Sequence, residues 1–66
     1  MAQYVKVAGL PTLLVEESAA GLVTIRDGRT TLIGCAVSPL EAGEELVLYQ
    51  PLGDDVRLGT ITEADA

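Results

Sequence analysis

The chain has no histidine, no phenylalanine, no tryptophan and only one cysteine, Cys35. Without histidine, zinc sites of the common Cys/His kind are excluded, and Cys35 and Ser38 have no imidazole to activate them. A single thiol cannot form an intrachain disulfide. With Phe and Trp missing, a core must be built from Val, Leu, Ile and Ala, with Tyr4 and Tyr49 as the only large rings. Basic residues are scarce too: Lys6, Arg26, Arg29 and Arg57 stand against ten acids, for a net charge of −6. No basic stripe with interleaved aromatics exists, which argues against nucleic-acid binding. No segment approaches the ~18 apolar residues of a membrane-spanning helix. Met1-Ala2-Gln3-Tyr4 lacks the charged and apolar regions of a signal peptide, and a lone thiol fits synthesis in a reducing cytoplasm.

What is present is a short, apolar chain: 66 residues, 48% of them hydrophobic. That length allows one small domain, residues 1–66, and no second one. Domains of this size are marginal alone and are usually held by disulfides, a metal or association. Cys35 and the absent histidines remove the first two routes in their common forms, so association with a partner or with further copies is the expected source of stability.

Along the chain, Gln3-Tyr4-Val5-Lys6-Val7 alternates polar and apolar residues as a half-buried strand does. Ala8-Gly9-Leu10-Pro11 breaks it, which makes residues 1–8 a candidate N-terminal strand or arm. Thr12 to Glu16 reads as a second, edge-like strand. A helix running on to a stop at Gly21 is the weaker alternative. Leu22 to Arg26, Asp27-Gly28, then Arg29 to Ile33 is a hairpin signal, with the type I′ turn expected at Asp-Gly. The second arm continues to Val37, with Thr31, Ile33, Cys35 and Val37 on one face. Gly34 inside it suggests a bulge or a close backbone approach. Ser38-Pro39-Leu40-Glu41 matches a helix N-cap, a proline at N1 and an acid at N3, but Ala42-Gly43 stops it within one turn. Leu46 to Tyr49 and Val56 to Thr62 read as the last strands, separated by a Pro51/Gly53 loop, and Glu63 to Ala66 as an acidic tail. The expected fold is therefore all-β, a small single-domain barrel or sandwich of five to six short strands, with at most one helical turn near residues 38–42.

Few residues suggest chemistry. Cys35, flanked by apolar residues, is expected to be a buried small hydrophobe. Ser38 is expected to cap, Asp54-Asp55 to sit in a turn, and Glu44 and Glu45 to face opposite ways. No catalytic residue, cofactor site or metal site is expected. Leu46 and Leu48 oppose Val47 and Tyr49, so apolar side chains occupy both faces of that strand. A partner interface is therefore expected at Tyr4, Val5, Val7, Leu46, Leu48 and Tyr49, with the N-terminal strand adding to an exposed sheet edge of the partner.

Three segments in order, Ala20-Gly21-Leu22-Val23, Ile33-Gly34-Cys35-Ala36-Val37 and Glu41-Ala42-Gly43-Glu44-Glu45-Leu46-Val47-Leu48, resemble the small bacteriophage capsid decoration, or cement, proteins. The resemblance runs over about half the chain, and Pro39 and Glu41 make the corner more turn-like than in that group. It implies a non-enzymatic protein of the virion, made in the host cytoplasm, that binds the outside of an assembled capsid as a trimer. There it would bridge major capsid protein subunits and stabilise the head. The alternative is a small oligomeric β-barrel interaction or regulatory module of a bacterium: an accessory subunit, an antitoxin-like inhibitor or a regulator-like dimer.

Overall fold

The computed structural model describes residues 2–65, the side chain of Asp65 excepted. It is all-β: β1 (Ala2–Val7), β2 (Leu13–Glu17), β3 (Val23–Arg26), β4 (Thr31–Gly34), β5 (Ala36–Val37), β6 (Glu45–Tyr49) and β7 (Val56–Asp65). Every pairing is antiparallel, and the order across the sheet is β4-β3-β2-β1-β7-β6-β5. The two strands at the ends of that order, β4 and β5, are consecutive in the chain. One segment, bent at Cys35, thus provides both ends of the sheet, which must curl into a half-barrel for this segment to reach. Seven strands arise where five to six are expected because the arm from Arg29 to Val37 divides at this bend.

β7 produces much of the curl. Its first half pairs with β6 and its second half with β1. Leu46 faces Gly59 but Val47 faces Arg57, which leaves Leu58 as an extra residue. Lys6 faces Glu63 but Val7 faces Ile61, which leaves Thr62 as another. Each bulge bends and twists the strand. The first also resets its parity, so that both Leu58 and Ile61 turn toward the core. The extra Thr62 is held by its hydroxyl, which donates to the carbonyl of Lys6 at 3.2 Å. Glu63 and Ala64, expected in a tail, are paired with Lys6 and Val5; Ala66 lies outside the described residues.

The core is Val5, Val7, Leu13, Val15, Val23, Ile25, Leu46, Leu48 and Ile61, with Leu32, Val37, Leu40, Val56 and Leu58 packed against it. It is aliphatic throughout, as the composition requires. The chain exposes 4352 Å², against about 4,000 Å² for a folded monomer of this mass. The curl thus lets one chain cover most of the apolar surface that a flat sheet would leave open.

β1 is a central strand, paired with β2 on one side and β7 on the other. That corrects the expectation of a free N-terminal arm: both of its edges are occupied. β2 is likewise internal, between β1 and β3, and not an edge. The β3–β4 hairpin forms as expected, but its turn is shifted by one residue. Gly28 has φ 97° and, among the described residues, no other type of residue has positive φ, so Gly28-Arg29 are the central pair, with the sign pattern of a type II′ turn. Asp27 stands before the turn. Its Oδ1 accepts the N–H groups of Arg29 and Thr30 at 3.0 and 2.7 Å.

No helical turn forms at residues 38–42. Instead Glu41–Glu44 is a β-turn closed by Glu44 N–H on the Glu41 carbonyl, with Gly43 at the position that needs positive φ. Ser38 is buried and serves as a rung of the sheet. Its N–H donates to the Val47 carbonyl, its Oγ accepts Val47 N–H at 2.9 Å, and its hydroxyl donates to the Glu45 carbonyl at 2.9 Å. The Ser-Pro-x-Glu pattern of an N-cap here marks a side chain replacing a carbonyl in the β5–β6 ladder.

Candidate functional site

Of the six residues expected at a partner interface, four lie inside. Val5, Val7, Leu46 and Leu48 belong to the core, so none of them can touch a partner while the fold is intact. Tyr4 and Tyr49 are on the surface but at opposite ends of β7: Tyr4 pairs with Asp65, and Tyr49 follows the Leu48–Val56 pair. The structure does not bring the six together.

What it does assemble is an outward apolar surface where the two sheet ends meet. Gly34 is buried against β6 so closely that a Cβ there would lie 2.5 Å from the Tyr49 carbonyl oxygen and 2.8 Å from the Leu48 side chain. Cys35 N–H donates to the Tyr49 carbonyl, and the next residue, Ala36, pairs with Tyr49. On the other side Val23 pairs with Gly34, which sets Leu22 alongside Cys35. The bend interrupts alternation, so Cys35 and Ala36 are both exposed while Val37 turns inward. Cys35 is therefore an exposed thiol and not the buried hydrophobe expected. Ile33 is 57% exposed, Leu22 and Tyr49 are also exposed, and Leu52 is 91% exposed on the loop that leaves Gln50. The Gln50 side chain ties that loop to β4 by donating to the Ile33 carbonyl at 3.0 Å.

Alternation read forward from Thr31 already puts Leu32 and Ile33 on opposite sides, and Leu32 pairs with buried Ile25. The outward place of Ile33 was thus within reach of pattern reasoning. Leu22 and Leu52, as isolated leucines beside turns, carried no such signal.

The charges lie elsewhere on the surface. Lys6 pairs with Glu63 at 3.2 Å and Arg26 with Glu16 at 3.6 Å, each exposed and across neighbouring strands. Arg57 bonds Glu45, and that contact raises the guanidinium above its ordinary range. Asp27 is held below the usual carboxylate value by the N–H groups of Thr30 and Arg29. Among the described residues, β4 and β5 are the strands without a charged residue.

Concavities lie elsewhere on the surface. A cleft of about 120 Å³ at one mouth of the barrel lies among Leu10, Leu13, Ile25, Leu32 and Leu58. An open groove of about 550 Å³ lies over Tyr4, Lys6 and Thr62 beneath the Ala42 turn. Among the described residues, no group of three His, Cys, Asp or Glu side chains is placed to hold a metal ion, and no helix is long and apolar enough to cross a membrane. Comparison with protein-family models, curated proteins and solved structures finds no match to this chain.

Proposed function

We propose that this chain is a non-enzymatic structural protein of a phage head, a homo-oligomer that binds the outside of the assembled capsid and bridges major capsid protein subunits. The observation that carries the reading is the outward apolar surface of Leu22, Ile33, Tyr49 and Leu52 on an otherwise charged small barrel. The same region contains the three segments that resemble the decoration proteins, which adjoin through the Val23–Gly34 and Val37–Leu48 pairs. Isolated exposed leucines are common, but several exposed apolar residues around one seam of so small a domain suit a docking face.

Docking of this kind adds stability by mass action, about 2.7 kcal/mol when partner sites exceed Kd a hundredfold. For a small aliphatic domain that is a large fraction of its total. The test is co-sedimentation with shells assembled from the major capsid protein of the head that this chain is proposed to bind. Wild type is expected to pellet with shells, and a Leu22→Asp/Leu52→Asp variant, folded by circular dichroism, to stay in the supernatant. Wild type left in the supernatant, or a variant that pellets as well, would overturn the proposal.

A second reading is favoured by the charge. With Lys6, Arg26 and Arg57 each paired to an acid, the exterior is acidic, as suits an inhibitor-like module for a basic partner. Such binding weakens steeply with salt, whereas apolar docking does not.

A further inference from the structure

The groove beneath the Ala42 turn lies toward the Tyr4 end of β7, away from the Tyr49 end. Its floor is the outer face of β1 and β7. Alternation along β1 buries Val5 and Val7 and leaves Tyr4 and Lys6 outside. Opposite them, the bulge leaves Thr62 and Glu63 both exposed beyond buried Ile61, so consecutive residues supply a hydroxyl and a carboxylate to one surface. Bulges re-aim side chains in this way beside functional sites. The wall is the Glu41–Glu44 turn. It is fastened to β7 by Gly43 N–H on the Ile61 carbonyl and by Ile61 N–H on the Glu44 carbonyl, each at 2.8 Å. A volume of about 550 Å³ is that of a small-molecule site, and these bonds hold its shape before anything binds.

We propose that this groove binds a neutral polyhydroxylated ligand, a short oligosaccharide, with one sugar ring stacked on Tyr4. The lining argues for that chemistry. Tyr4, 57% exposed, offers an aromatic face that suits the C–H side of a pyranose. Lys6 and Glu63 meet at 3.2 Å, which cancels their charge, yet the ammonium keeps further donors and the carboxylate further lone pairs. A hydroxyl is donor and acceptor at once, so neighbouring ligand hydroxyls can bridge such a pair. Thr12 adds another hydroxyl. Thr62, whose own O–H goes to the Lys6 carbonyl, is left as an acceptor. An anion would meet Glu63, and an organic cation would meet Lys6. An apolar ligand would strip water from both without replacing its hydrogen bonds. The groove shares no residue with the apolar surface of Leu22, Ile33, Tyr49 and Leu52, so the proposal goes beyond shell binding and stands independently of it.

The test is a titration of the isotope-labelled full chain with maltotriose, cellotriose, mannotriose and chitotriose, followed by its amide resonances. At least one of these sugars is expected to shift Tyr4, Lys6, Thr12, Thr62 and Glu63 saturably at about millimolar concentration, with the same affinity at low and high salt. Tyr4→Ala should weaken that binding at least about fivefold, and Tyr4→Trp should retain it. Lys6→Leu/Glu63→Leu, which keeps the groove without its polar pair, should weaken it as well. All three positions are exposed, so the variants are expected to fold, which circular dichroism checks. No saturable shift from any of the sugars at about 20 mM, shifts confined to other residues, or unchanged affinity in Tyr4→Ala would each overturn the proposal. So would tighter binding of inorganic phosphate or spermidine than of every sugar.

Discussion

Replacing Gly34 with alanine tests whether the bend at Cys35 holds the two ends of the sheet together. The added Cβ would stand 2.5 Å from the Tyr49 carbonyl oxygen and 2.8 Å from Leu48 Cδ1 and Cγ. An ordinary contact begins near 3.4 Å, so β4 and β6 must part by about 0.9 Å. The first obstacle is backbone, which cannot rotate aside as a side-chain tip can. It also carries the bond from Cys35 N–H, so separation strains that bond as well. Overpacking of this kind costs about 1–3 kcal/mol, and the backbone contact puts Gly34→Ala toward the upper end. For a domain of this size each kcal/mol is worth roughly 4–8 °C, so a fall in Tm of about 10–20 °C is expected. Thermal unfolding followed by circular dichroism at low protein concentration measures it. Cys35→Ser, at the neighbouring exposed position, is the control and should stay within about 0.5 kcal/mol of wild type. A Gly34→Ala protein melting within about 2 °C of wild type would refute the closure as described.

Ser38→Ala leaves the Val47 N–H and the Glu45 carbonyl without their side-chain partner, and should cost about 1–3 kcal/mol in denaturant titration. A loss within error would mean that Ser38 does not act as a ladder rung. Leu48→Ala empties a fully buried site and should cost about 2–5 kcal/mol, enough to leave much of the chain unfolded at room temperature; a cooperative melt close to wild type would contradict the core assignment. The Asp27 carboxyl is lowered from 3.8 by bonds from Thr30 and Arg29 that exist only in the folded chain. Its contribution is therefore present above pH 3.8 and lost as pH falls through the lower folded value. The Tm gap between wild type and Asp27→Ala should be widest near neutrality and narrow below that point, whereas a gap independent of pH would show that the carboxylate charge plays no part.

The all-β class and the positions of most strands followed from alternation and from turn residues such as Asp27-Gly28, Pro51 and Gly53. What alternation could not supply was the place of each strand in the sheet. β1 comes first in the chain yet lies at the centre, because it is the strand that the distant β7 meets. That long-range pairing buries Val5 and Val7, which a local reading leaves available to a partner. The same reading carried parity through Cys35 unchanged. A bend there reversed it, so that Ala36 is exposed beside Cys35 and Val37 turns inward. Gly34 carried a correct signal of close approach, and the approaching strand is β6. Ser38 was noticed for its pattern, but hydrogen-bonding residues suit caps and ladders alike, and only the position of Val47 decides between them. The outward surface was the least legible part, since it is formed by the residue before β3, by residues of β4 and β6, and by a loop.

The central claim is that the chain attaches to an assembled shell through an apolar surface. The most direct measurement is a binding isotherm of the wild-type chain on assembled shells at about 50 and 500 mM salt, where screening lengths differ roughly threefold. Saturable binding with an affinity that changes by less than about threefold between the two conditions is the predicted result. An absence of saturable binding, or a loss of tenfold or more at the higher salt, would contradict it.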